Sequence, residues 1–344
     1  MNREITKKGR ILYLDLSRVF AMMWIVGYWH LHDYTMFFYK TPVMKSFVDE
    51  HITRIFLGLF MYVSGFLLSR YSFHDFWKDT KVFYLKRLKR FYLLYSFSVI
   101  LLFIISFNPG IGRLITSLLG ISTYIQPQPR TLWFMSMLMS FYLLTPFVKS
   151  GKTIISQVCI VLLFFLLAIL YNYYNPNGID IRFFWCFPLY SLGLIFPQIQ
   201  DIACNHLLGI CLLFFMCILI FFVKDNCYQK VTELLIIPMG VFSCLYCCKI
   251  LMTYIRLPFV KHLVKILAYC SMSAYLFHRE IYFVLGYFYR VLFLPYIDMN
   301  MFALIMIVFP LCVFFSYIIQ CAYDKYIILY LNKFCVTERV NNTQ

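Results

Sequence analysis

Charge is what this sequence has least of. Only 13% of its 344 residues are Asp, Glu, Lys or Arg and 62% are hydrophobic, whereas roughly a quarter of an ordinary soluble chain is charged. A soluble domain could not hide so much apolar surface, so that class is excluded. Acidic residues are scarcer still, 15 against 31 Lys and Arg, for a formal charge of +16. The excess does not point to nucleic acid. The bases fall in short segments between apolar runs, where they set topology and attract anionic lipid. Also missing are a glycine-rich phosphate loop, a nucleophile elbow and a metalloprotease helix, as are internal repeats and low-complexity tracts. The first apolar run lacks a small-residue cleavage site and is expected to stay as an anchor. The 13 cysteines lie mostly inside apolar runs and read as small buried hydrophobes. Cys244-x-x-Cys247 has no second ligand pair, so no metal is expected.

What the chain does have is a series of apolar runs near spanning length. They lie at 11–31, 52–69, 91–107, 131–148, 154–171, 183–197, 207–223, 231–250, 264–289 and 301–323. These predict an all-α polytopic membrane protein of about ten transmembrane helices, with 1–344 forming one domain. The 183–197 run is the weakest, being short and marked by prolines. With the N-terminus in the cytoplasm, 21 of the 31 Lys and Arg fall on the inner side and nine on the outer, Arg279 lying within a span. That imbalance places both termini inside, in a plasma or inner membrane. Leu31 to His51 reads as a polar loop, and IGRLITSLLG at 111–120 as a short helix lying on the interface.

The first span organises the chemistry. Asp15 and Arg18 stand at its inner end and an uncharged stretch follows, ended by His30, His32 and Asp33. The rise from Arg18 to His30 is roughly 18 Å, which puts His30 near the outer face. A histidine there is either an interface residue reaching water or a catalytic base. Asp33 favours the second reading, because a carboxylate one turn away can set the imidazole tautomer. A zinc site from His30, His32 and Asp33 is disfavoured, since His-x-His diverges on a helix. Asp15 and Arg18 read as a mutually neutralising pair, although Arg18 could also face an anion. Lys86, Arg87, Lys89 and Arg90 form the densest basic cluster, either a topology signal or a phosphate site. On an α-helix Arg87 and Arg90 would share a face. His278, Arg279 and Glu280 interrupt an apolar run and should face protein or water rather than lipid. Glu233 reads as an interface residue.

Taken together these stretches resemble the integral-membrane acyltransferase family 3, which includes O-acetyltransferases of bacterial surface polysaccharides. The resemblance runs through Leu14, Asp15, Arg18, Ala21 and His30, then Phe60, Ser64, Gly65, Phe66 and Leu67. It continues through Arg87 and Arg90, then Leu132, Trp133, Tyr142 and Pro146, and ends at Ser273, Tyr275, Leu276 and His278. Two positions depart from the pattern. The Arg18–His30 spacing is one residue longer than usual, which turns the histidine by about 100° on an ideal helix. Leu93 stands near the place of a proline common after Arg-x-x-Arg.

The resemblance implies acetyl-CoA, or another acyl-CoA, as a donor substrate on the cytoplasmic side. It implies a hydroxyl of a glycan or lipid-linked sugar as acceptor, with no bound cofactor and no nucleic-acid partner. His30 would be the general base with Asp33 orienting it, an acyl-histidine relay being the variant. Arg18, Arg87 and Arg90 would hold the donor. Ser64, Trp133, Tyr275, His278 and Glu280 would line the channel or support the oxyanion. Rival readings are a polymerase or a transporter or flippase of lipid-linked polysaccharide, the last using His278, Arg279 and Glu280 as a coupling site.

Overall fold

Helix ends follow from local chemistry. Ser46 accepts the Asp49 N–H at 3.2 Å while its own N–H donates to the Asp49 carboxylate at 2.8 Å. This reciprocal cap starts helix α2 (Phe47–Ser69). Thr153 and Ser156 make the same device at the start of α7 (Ile154–Tyr174). Each satisfies orphan donors of a first turn. Asp75 accepts the Lys78 N–H at 3.3 Å and starts α3 (Phe76–Arg87).

The computed structural model describes residues 11–38, 46–105, 110–124, 132–176, 178–199, 205–222, 229–292 and 301–331, which are mostly helical and contain no strand. The other helices are α1 (Leu12–Trp24), α4 (Leu93–Ile105), α5 (Ile111–Leu118), α6 (Trp133–Ser150) and α8 (Phe183–Ile195). After them come α9 (His206–Phe222), α10 (Gln229–Tyr254), α11 (Pro258–Leu292) and α12 (Met301–Ala322). Among the described residues five stretches are long and apolar enough to cross a membrane: Val48–Ser69, Phe76–Ile105, Ile154–Tyr174, Leu235–Tyr254 and Met301–Leu331. Phe183–Ile195 and His206–Phe215 are shorter apolar helices. The remaining expected spans are helical but interrupted or more polar: α1, α6 and α11. Both termini and the side chain of Glu233 lie outside the described residues.

Among the described residues three π-helical turns interrupt the α geometry, at Ile25–His30 after α1, Leu88–Tyr92 between α3 and α4, and Tyr323–Ile328 after α12. The expected polar loop after the first span is not loop at its start. Leu31–Phe37 is a 3₁₀ turn packed on α11 and α12, because Leu31 and Phe38 are buried in the core. The short helix expected at 111–120 is present as α5, its last carbonyls held by the hydroxyls of Tyr95 and Tyr92, which donate to Ser117 and Leu118 at 2.7 Å.

The weakest expected span turns out to be central. In α8 ten residues are buried, from Phe183 to Ile195, so it is shielded by protein and needs no full bilayer length. It packs against α2 with backbones nearly touching. A Cβ on Gly65 would sit 2.0 Å from the Tyr190 carbonyl oxygen, and one on Gly193 would sit 2.3 Å from that of Tyr62. Small residues at such crossings are how helices pack tightly when lipid offers no hydrophobic drive. Helix α1 lies among α2, α10 and α11, which makes it the axis of the site.

Candidate functional site

The extra residue between Arg18 and His30 meets a π turn. An i→i+5 turn holds one residue more than an α turn, so the Ile25–His30 segment takes up the surplus and His30 keeps facing inward. Wider turns strand backbone carbonyls. Here the Tyr282 hydroxyl of α11 donates to the Val26 carbonyl at 2.9 Å.

His30 is 8% exposed and its ring lies flat on that of His278, centroids 4.7 Å apart and planes 8° from parallel. Tyr275 meets His30 edge-on at 6.3 Å. The His278 Nδ1 lies 2.8 Å from the Tyr275 carbonyl and 3.2 Å from that of Ala274. Carbonyls only accept, so Nδ1 carries the proton and Nε2 presents a lone pair. That Nε2 is buried without a hydrogen bond.

His30 forms part of the wall of a cavity of about 570 Å³, within the range of small-molecule sites. Trp29 and Ile25 flank it on the same segment, Thr53 and Arg54 approach from α2, and Trp133 and Tyr275 from α6 and α11. The loop before α8 adds Asp180 and Arg182, and α8 itself Trp185. Arg182 donates from its backbone N–H to the Asp180 carboxylate at 2.8 Å and from Nε at 2.7 Å, and its terminal nitrogen pairs with the second oxygen. Its guanidinium lies 3.5 Å from the centre of the Trp133 ring, close enough for a strong cation–π contact. Arg54 pairs with Glu50 one turn earlier.

At the other end of α1 a hollow of about 80 Å³ is lined by Asp15, Arg18, Val63 and Arg70. Arg18 lies 4.0 Å from Asp15 and donates to the Ser271 hydroxyl at 3.1 Å. Arg87 lies within 5.2–5.6 Å of the ring centres of Tyr142, Phe83 and Tyr71, with its Nε buried and making no hydrogen bond. Arg90 is exposed. The π turn at Leu88–Tyr92 separates the two arginines that an α-helix would have put on one face.

The other expected residues divide. Trp133 and Tyr275 line the His30 cavity, and His278 backs His30 itself. Ser64 is half-buried beside Gly65. Glu280 is buried away from that wall, its Oε1 accepting from Ser98 at 3.4 Å and its Oε2 making no hydrogen bond. Asp33 pairs with Arg279 at 3.2 Å, and Arg279 lies over the Tyr34 ring at 5.9 Å. The sequence reading passed over Trp29, Glu50, Arg54, Asp180 and Trp185. The Glu50–Arg54 spacing and the Asp-x-Arg before α8 were the available signals.

His30 thus lines a polar, tryptophan-bearing cavity at one end of the α1 segment, while Arg18 stands at the other end beside Arg70. Residues 11–321 match the acyltransferase domain of acyltransferase family 3, and the chain belongs to that family. It is a membrane acyltransferase. No curated protein and no solved structure matches the chain.

Proposed function

We propose that this protein moves an acetyl group from cytoplasmic acetyl-CoA to a hydroxyl of a surface or lipid-linked glycan. The position of His30 on the wall of the large cavity is the observation that carries this reading. The chain crosses a plasma or inner membrane about ten times with both termini inside. The donor's phosphates rest on the arginine-bearing end, near Arg18, Arg70 and Arg87, with Arg90 at the rim. Its acyl arm passes between α1, α2 and α11 towards His30.

His30 takes the proton of the acceptor hydroxyl as that oxygen attacks the thioester carbonyl. The tetrahedral oxyanion collapses, the C–S bond breaks, and the thiolate leaves and takes the proton back from the imidazolium. The products are an O-acyl ester and CoA thiol. His278 is the surface on which the His30 ring is laid flat. Tyr275 packs against both rings, and its hydroxyl is the oxyanion donor in this scheme.

The test compares O-acyl esters on the host's surface glycans in a deletion strain complemented with wild type or His30→Ala, at equal membrane levels. Restoration by wild type alone supports both the transfer and the base. Full restoration by His30→Ala would remove His30 from the mechanism.

A further inference from the structure

The lining of the large cavity goes further than a sugar acceptor in general. Its charged side chains are Glu50, Arg54, Asp180 and Arg182, and each arginine is paired with a carboxylate: Arg54 with Glu50 and Arg182 with Asp180. We infer that the cavity binds a neutral, hydroxyl-rich sugar ring and discriminates against acidic sugars. This rests on the acyltransferase reading of the same site.

Two arginines facing a cavity would ordinarily suggest a carboxylate or phosphate ligand. Here the Arg182 fork that would grip one is already engaged, and Arg54 has Glu50 beside it. Arg182 places Nε and a terminal nitrogen on Asp180 and lays its flat face on Trp133. An incoming anion would meet a carboxylate beside each guanidinium, and the buried Asp180 would repel it more than the half-exposed Glu50. Neutral hydroxyls meet the opposite situation. The Asp180 and Glu50 oxygens accept O–H donors, and each carries more acceptor sites than its arginine uses. Asn172 accepts the Ile179 N–H on its carbonyl oxygen at 3.4 Å, leaving its NH₂ to donate. Trp29 and Trp185 supply apolar surface suited to the C–H faces of a pyranose ring, with the His30 ring in the same wall to receive the reacting hydroxyl.

The pairing also gives a way to reverse the preference. Asp180→Asn and Glu50→Gln each keep side-chain shape and leave one arginine without its carboxylate. Binding is read by tryptophan fluorescence on the purified full-length protein in nanodiscs. The probes are methyl glycosides of neutral hexoses and 6-deoxyhexoses against methyl hexuronides and hexose 6-phosphates, with CoA release from acetyl-CoA followed in parallel. The expected result is binding of at least one neutral glycoside about tenfold or more tighter than its uronide, a difference of about 1.4 kcal/mol. Each variant should strengthen uronide binding and narrow that gap. Equal or tighter binding of uronides or phosphates by the unsubstituted protein would overturn the inference, as would variants that leave the gap unchanged. Failure of every glycoside to bind while CoA release proceeds would also overturn it, leaving the transferase reading intact. Neutral binding without any CoA release would uphold the site and count against the transfer.

Discussion

The Tyr282 hydroxyl sits 2.9 Å from the Val26 carbonyl, and through that bond α11 holds the π turn that carries His30. A second π turn is treated alike. The Lys89 carbonyl, in the segment between α3 and α4, accepts the hydroxyl of Tyr323. In both places a widened turn leaves a carbonyl to be satisfied from another element, and a tyrosine reaches across to do so. Leaving such a buried acceptor unmet costs about 1–3 kcal/mol. Tyr282→Phe should therefore lower the thermal unfolding midpoint and reduce acyl transfer together. Unchanged values for both would show that the turn holds itself.

The ring of His278 fixes that of His30 by face-to-face contact. Aromatic pairs contribute about 0.5–1.5 kcal/mol beyond their buried area, so His278→Ala should cost roughly tenfold in rate. His30→Ala should cost about 10²–10⁴-fold, the usual share of a positioned acid–base group. Rates measured on purified protein at saturating donor rank the two. Equal losses would make both histidines proton carriers.

Asp33 was expected to orient His30, and it pairs with Arg279. The Arg279 side chain is 11% exposed and that of Asp33 is 37% exposed. Removing the carboxylate therefore leaves a mostly buried cation, with a loss discounted for the exposed partner to about 1–3 kcal/mol. The swap of Asp33→Arg with Arg279→Asp should recover much of the stability lost by either change alone. If stability returns and activity does not, Asp33 has a second duty towards the imidazole.

Gly65→Ala should prevent α2 and α8 from closing, since the new methyl would meet the Tyr190 carbonyl at 2.0 Å. Overpacking costs about 1–3 kcal/mol where side chains can give way, and backbone yields less. Gly112→Ala, with open space around it, is the matched control. Yields of monodisperse detergent-solubilised protein should fall for the first and hold for the second.

Much of the fold was legible in the sequence because spanning runs are long and carry few charges, and because α1 announces itself with Asp15, Arg18 and His30. Trp133, Tyr275 and His278 were found through motif resemblance, and the structure gathers them around His30. Three things were hidden. The 183–197 run looked marginal because the bilayer length rule applies to lipid-facing helices, and α8 is wrapped in protein. Arg87 and Arg90 looked like one face because nothing in the sequence at 88–92 announces a π turn. The cavity drew Arg54 from α2 and Asp180 and Trp185 from the distant entry to α8, each unremarkable in its own surroundings.

Helix α7 buries only Ala168. Its inner face still packs on the core through Val161, Phe164 and Phe165, the last against Phe184 and Phe187, but along its outer face the surrounding lipid asks only for greasiness. Substitutions should accumulate along that outer face almost freely among apolar residues, stopping where Asn172 reaches the cavity. Between close descendants of this gene, α7 would be the part that keeps time, while the glycine crossing of α2 and α8 stays still.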